Sequence, residues 1–180
     1  MSKIRKSKNL NLLTLKTTYL GIGTNKGDRE KNISNALKLL SHIKGIKLLK
    51  VSKMFKNPPQ EGIKSGYFLN GAIKLLTSLT PLELLKTCKS IERKLGRKIG
   101  YRGKKRSRVI DLDILFYGNE VIDTKELTIP HLMIEKRNFV LIPLMDINEE
   151  LIHPVLKKSV GELYSDYLAP TSIKNCARAV

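Results

Sequence analysis

Asp111 and Asp113, in the stretch RVIDLDILFYGNE at 108–120, are the residues best placed by type and spacing to do chemistry. An apolar run of this kind reads as a strand, and a strand turns successive side chains to opposite faces. The two carboxylates therefore share one face, and Ile110, Leu112 and Ile114 share the other. Like charges so close together repel unless water, cations or basic groups compensate. The pair reads either as two acids on the solvated side of an open sheet or as a holder for one or two Mg²⁺ ions. Hard cations prefer carboxylate oxygen, and Mg²⁺ keeps positions for water and substrate phosphate. Directly before the pair runs GRKIGYRGKKRSR, 96–108, with seven Lys/Arg, three glycines and no acid. Arg106 and Arg108 would then stand beside the carboxylates as cations for oxyanions, the combination that phosphoryl transfer uses. Taken alone, the same loop also reads as a solvated charged segment or a nucleic-acid arm. Tyr101 is the one aromatic within it, and single-strand binding draws on stacked aromatics.

Other candidates are more scattered. His131 in TIPH could donate to a phosphate or be a loop histidine with no task, whereas His42 and His153 read as structural. Phe68 with Asn70, and Phe139 with Arg137, pair an aromatic with a polar neighbour. Such pairs either cover a planar ligand or pack in a core. The glycines of GIGTNKGD miss the dinucleotide fingerprint, because Lys26 stands where its third glycine is needed, and they miss the Walker loop, whose Gly-Lys-Ser/Thr ending is absent. They read as a tight strand-to-helix turn.

These residues need elements to position them. TTYLGIG reads as a strand. Asp28 then caps a helix whose apolar positions are Ile33, Ala36, Leu37, Leu40 and Ile43, ending near Gly45. IKLLKVSKMF reads as a second strand, KNPPQEGIKSG as a loop and YFLNGAIKLLTS as a third strand. Thr80, Pro81 and Glu83 open a second helix with apolar positions Leu85, Cys88, Ile91 and Leu95, which makes Cys88 a core residue. VIDLDILFY is the fourth strand, and GN turns toward EVI as a hairpin. The order βαββαβ predicts an α/β (α+β) ferredoxin-like fold: an antiparallel sheet with both helices packed on one face, plus a C-terminal extension.

At 180 residues, one domain is expected, spanning 18–166 between a basic, disordered lead-in at 1–17 and a tail at 167–180. The formal net charge of +18 calls for polyanionic partners. Cys88 and Cys176 form no CxxC pair, which argues against a disulfide scaffold or zinc module and for a reducing cytoplasm. No apolar run approaches the ~18 residues of a membrane span.

Taken together, the PP after the second strand, YFLN, IERKLGR, RVIDLDILFYG, LTIPH and RNFVLIPL resemble the 6-hydroxymethyl-7,8-dihydropterin pyrophosphokinase family of folate biosynthesis. The resemblance holds in order and spacing from about residue 18 to 165. It implies a ferredoxin-like fold and a cytoplasmic, monomeric enzyme (2-amino-4-hydroxy-6-hydroxymethyldihydropteridine diphosphokinase) with small-molecule substrates and neither membrane nor nucleic-acid partners. The reaction implied moves the pyrophosphoryl group of ATP onto the pterin's hydroxymethyl oxygen and releases AMP. By resemblance, Asp111 and Asp113 bind two Mg²⁺ ions and act in catalysis with Arg97 and Arg108. Glu92, Arg97, Arg106, Arg108, Ile114, Thr128, His131 and Arg137 fall on or near ATP positions. Phe68 and Phe139 match the aromatics that sandwich the pterin, Asn70 matches the amide at its polar edge, and Asn57, Pro58 and Gln60 match its pocket loop. The loops at 57–66 and 96–107 correspond to lids. Lys105 stands where many members have tryptophan, Glu126 where a basic residue is frequent, Leu132 where an aromatic or polar residue commonly follows the histidine, and Asn57 where threonine is frequent.

Overall fold

The computed structural model describes residues 15–58, 66–97 and 107–169. The expectations placed on Gln60, Tyr101, Lys105, Arg106, residues 1–14 and 170–180 and the middle of both lid loops lie outside the described residues, while the first strand begins at Lys16 and the last helix ends at Leu168, inside the stretches expected as lead-in and tail. The elements run β1 (Lys16–Thr24), α1 (Arg29–Ser41), β2 (Ile46–Val51), β3 (Phe55–Asn57), β4 (Phe68–Thr77), α2 (Pro81–Lys94) and β5 (Asp111–Tyr117). They continue with β6 (Ile122–Asp123), β7 (Thr128–Ile129), a 3-10 turn (Ile134–Lys136), α3 (Asn138–Asn148) and α4 (Val160–Leu168). The main sheet has the order β2-β4-β1-β5, with β3 continuing along β4, and all its pairings are antiparallel. This is the split βαβ arrangement that the element order predicts.

Local chemistry sets the helix starts. Asp28 accepts from Lys31 N–H at 3.0 Å, and Thr80 and Glu83 cap α2 reciprocally with Pro81 in its first turn. Ser159 and Glu162 form a second capping box at the start of α4. α1 and α2 cover one face of the sheet, where Leu20, Ile22, Leu40, Leu84, Cys88 and Leu112 are buried. Leu84 sits fully buried at the centre of the α2 stripe while Leu85 and Leu95 only flank it, so the apolar face lies one residue round from its expected place. α3, α4 and the 3-10 turn cover the other face with Leu141, Leu144 and Val160, so the C-terminal extension completes a second core. α3 is docked by Lys50, whose ammonium donates to the Asp146 carbonyl at 2.7 Å, and by Lys53 N–H, which donates to the Asp146 carboxylate at 2.8 Å.

Two further expectations are corrected. The second strand is two strands, because Ser52 interrupts it: its N–H donates to Ala72 O and its hydroxyl accepts from Ala72 N–H, each at 2.9 Å. The ten residues of β4 are long enough to pair with β2 and β3 in succession. The EVI segment pairs not with β5 but with β7, as Ile122 opposite Ile129. Side chains and His131 N–H, which donates to Leu115 O at 3.0 Å, already take the outer edge of β5. Of the glycines in GIGTNKGD, Gly21 and Gly23 lie inside β1, where the strand reading of TTYLGIG places them. Only Gly27 takes the turn's positive φ, 72°.

Candidate active site

The site is assembled across three neighbouring strands. Directly opposed residues of an antiparallel ladder share a face. The registers place Asp111 opposite Gly23, Gly23 opposite Asn70 and Asn70 opposite Phe55, while Asp113 faces Gly21 and Gly21 faces Ala72. The two acids therefore stand at one edge of the α3 face, and Asn70, Phe68 and Asn57 stand at the other. Two glycines separate them. A Cβ at Gly23 would come within 2.7 Å of Asn70 Oδ1, so the amide lies over bare backbone.

At the acidic end, Asp111 bonds to Arg97 through one oxygen and to Arg108 through the other. Arg97 also reaches Glu92 at 2.6 Å. Burial alone would raise the Asp111 carboxyl, but the Arg108 and Arg97 guanidiniums and the Lys89 ammonium outweigh it and hold the group below the usual carboxylate range. Asp113 is less enclosed, with 41% of its side chain exposed and Lys89 Nζ 3.6 Å away. Arg108 is tied down through its own backbone: its N–H donates to Asn25 Oδ1 at 2.6 Å, and its carbonyl accepts from Asn25 N–H.

α2 positions these groups by gripping the free edge of β5. Leu112 turns its N–H and C=O outward. The N–H donates to Glu92 Oε1 at 2.8 Å, and the C=O accepts from Lys89 at 3.5 Å. An edge strand otherwise presents unpaired backbone, so two side chains of one helix finish this edge and fix the acids flanking Leu112. Burial pushes the Glu92 carboxyl up, against the opposing pull of Lys89 and the Leu112 N–H. The Lys89 ammonium is raised because Asp113 and Glu92 outweigh its burial.

Of the residues singled out by sequence, Asp111, Asp113, Glu92, Arg97 and Arg108 come together as one cluster. Phe68, Asn70 and Asn57 form a second group on the same face. Phe139, half-buried at the start of α3, carries the Arg137 guanidinium 5.9 Å from its ring centroid. Thr128 and His131 flank β5 through β7 and the segment after it; His131 Nδ1 faces Leu132 O at 2.7 Å. Pro58 is exposed at the root of its loop. Ile114 stands apart: its side chain is 3% exposed in the α1/α2 core, so by ladder alternation it offers only backbone toward the β5 edge. Glu126 and Leu132, two of the departures, are both exposed. Sequence reasoning missed Lys89 and Asn25. The i,i+3 spacing of Lys89 and Glu92 was the available signal for the first, and the turn-forming TNKGD concealed the second.

Two carboxylates on one strand fit a cation such as Mg²⁺, which takes few protein oxygens and keeps positions for water and phosphate. Among the described residues no group of three or more His, Cys, Asp or Glu side chains could hold a metal, so an all-protein cage is absent there. Among the same residues no helix is long and apolar enough to cross a membrane.

A family model described as 7,8-dihydro-6-hydroxymethylpterin-pyrophosphokinase matches residues 19–149. The chain is 41% identical over 146 residues to the 2-amino-4-hydroxy-6-hydroxymethyldihydropteridine pyrophosphokinase of Aquifex aeolicus, covering 81% of this chain and 89% of that one. It is 40% identical over 148 residues to the folic acid synthesis protein fol1 of Schizosaccharomyces pombe. That match covers 82% of this chain and 20% of the relative, so the chain spans a fifth of the fungal protein's length. A crystal structure of Plasmodium falciparum HPPK-DHPS with pterin and p-hydroxybenzoate superposes with a TM-score of 0.69 at 17% identity, over 89% of this chain and 44% of that chain, a likeness of fold.

Proposed function

The chain belongs to the 7,8-dihydro-6-hydroxymethylpterin-pyrophosphokinase family, and on that premise we propose that it transfers pyrophosphate from ATP to 6-hydroxymethyl-7,8-dihydropterin in folate biosynthesis, releasing AMP. One observation carries the reading. A row across three strands runs from Asp111, held between two arginines, over the bare backbone of Gly23 to the Asn70 amide. It joins a polyphosphate end to a planar-ligand end on one sheet face.

In this reading Asp111 and Asp113 hold Mg²⁺, two ions by family resemblance, and the bound metal supplies charge neutralisation of the ATP phosphates. Arg97 and Arg108 keep Asp111 anionic, and their remaining N–H groups face the transferred phosphates, to which family resemblance adds Arg106, Thr128, His131 and Arg137. Glu92 braces Arg97, and the backbone of Ile114 at the β5 edge suits the base. Phe68 and Phe139 stack the pterin, Asn70 bonds its polar edge, and Asn57, Pro58 and Gln60 close that end. The hydroxymethyl oxygen forms a bond to the β-phosphorus in line with the oxygen bridging to the α-phosphorus. That bridge breaks, its electron pair leaving with AMP. The hydroxyl proton departs late, to water or to an Asp113 oxygen, since Asp111 is held anionic by its two guanidiniums and is a poor base.

The test is to incubate the protein with ATP, Mg²⁺ and the hydroxymethyl dihydropterin and to identify the nucleotide product. AMP formed only with the pterin present supports the reading, and release of inorganic pyrophosphate overturns it. The Asp113→Ala variant should keep its circular-dichroism spectrum and lose turnover by at least ~10³-fold, as expected when a charge-stabilising group is removed. A fully active variant takes Asp113 out of the mechanism.

A further inference from the structure

We propose that Tyr67 and the two cations stacked on it, Arg29 and Lys56, are positioning residues that hold the pterin subsite in shape, a role that rests on the function proposed above. Tyr67 immediately precedes Phe68, and Lys56 immediately precedes Asn57. Alternation turns them to the opposite side of the sheet: Lys56 faces Leu69 and Tyr67 packs with the α1/α2 core, while Phe68 and Asn57 face α3. Tyr67 therefore does not touch a ligand on the α3 face. It can only set where its neighbours stand.

The contacts around Tyr67 join three segments. The Arg29 guanidinium carbon, at the first residue of α1, lies 4.3 Å from the Tyr67 ring centroid, and Lys56 Nζ lies 5.0 Å from it. Arg29 Nε also donates to the Tyr67 carbonyl at 3.0 Å. A Cβ at Gly66 would come within 2.8 Å of Arg29 Nη2, so a glycine there lets the arginine close onto the chain. Bringing two like charges to one ring is unfavourable unless the ring's negative face repays it. The result is a clamp that ties β3, the entry to β4 and the start of α1. Those two strands carry Asn57, Phe68 and Asn70 on their other face. The cations are spent on geometry, with the ligand on the far side of the sheet.

The test uses the 180-residue chain with Tyr67→Leu, Tyr67→Phe and Arg29→Gln. Pterin affinity is read from pterin fluorescence, affinity for a nonhydrolysable ATP analogue with Mg²⁺ from calorimetry, and fold from thermal melting. Tyr67→Leu should weaken pterin binding about five- to tenfold and leave the ATP analogue within about twofold, the scale of one partly desolvated cation–π contact. Tyr67→Phe keeps the ring and should bind pterin within about twofold of the unsubstituted protein, and Arg29→Gln should lose about threefold. Unchanged pterin affinity in both Tyr67→Leu and Arg29→Gln would overturn the role, as would equal weakening of both ligands. Failure of the unsubstituted chain to bind pterin would instead overturn the proposed function, and this role with it.

Discussion

Replacing Glu92 with leucine tests whether α2 finishes the edge of β5 and so fixes the acids. The carboxylate is 1% exposed and receives the Leu112 N–H at 2.8 Å, Lys89 at 2.9 Å and Arg97 at 2.6 Å. Leucine leaves the Leu112 N–H without a partner in a buried place, a loss of about 1–3 kcal/mol. The two cations lose less. Arg97 keeps Asp111 and Lys89 keeps Asp113, both are partly exposed, and their joint contribution is about 1 kcal/mol after solvent screening. Leucine also removes the cost of burying the carboxylate, the same cost that pushes its pKa up, so the expected loss lies nearer 2 than 4 kcal/mol. At about 2–4 °C per kcal/mol for a chain of this size, the melting temperature should fall by about 4–8 °C. Glu92→Gln retains an acceptor for Leu112 and should fall by about half as much. The assay is thermal melting followed by circular dichroism at pH 7, repeated in high salt, where a buried bond to backbone persists and an exposed ion pair weakens. A Glu92→Leu protein melting within about 1 °C of the unsubstituted chain would refute the reasoning and leave Glu92 free for a purely ligand-binding part.

Two further outcomes follow from the same geometry. Gly23→Ala should displace the Asn70 amide, the far end of a flexible side chain, and weaken pterin binding by about tenfold with little loss of melting temperature. Gly21→Ala, whose new Cβ meets Leu115 at an ordinary 3.4 Å, should bind normally; equal affinities in the two variants would show that Asn70 does not use the space over Gly23. His153, 6% exposed, accepts the Val155 and Leu156 N–H groups at Nδ1 and packs edge-on to Phe116, and burial lowers its pKa below 6.5 despite the pull of Glu135. Below pH 6.5 the unfolded chain therefore binds a proton that the folded chain refuses. The stability from this group is complete above that pH and is lost as pH falls through the window beneath it. Urea midpoints should drop between pH 7 and pH 5.5, and His153→Gln should flatten that slope; an unchanged slope removes His153 as its source.

What the sequence made legible is what lies along one element. The βαββαβ order, the caps at Asp28 and Thr80, and the shared face of Asp111 and Asp113 all follow from spacing within a few residues, and each is present in the structure. What stayed hidden depends on register between distant strands. IKLLKVSKMF reads as one strand because its apolar pattern does not break, and the break comes from Ser52 bonding to Ala72, twenty residues on. GIG ends a segment that reads as a strand, but nothing in its spacing says what the glycines do there, and in β1 they supply room. That meaning exists only once Gly23 is known to lie between Asp111 and Asn70. By spacing alone Glu92 reads as one more polar residue of an amphipathic helix, and resemblance sets it only near the nucleotide; its bond to the β5 edge appears once Leu112 is placed. The chemistry of the acids could be read from two letters and a spacing. Their surroundings could not, because an edge, a lane across strands and a clamp through the sheet are properties of pairing, and pairing is settled by packing over the whole chain.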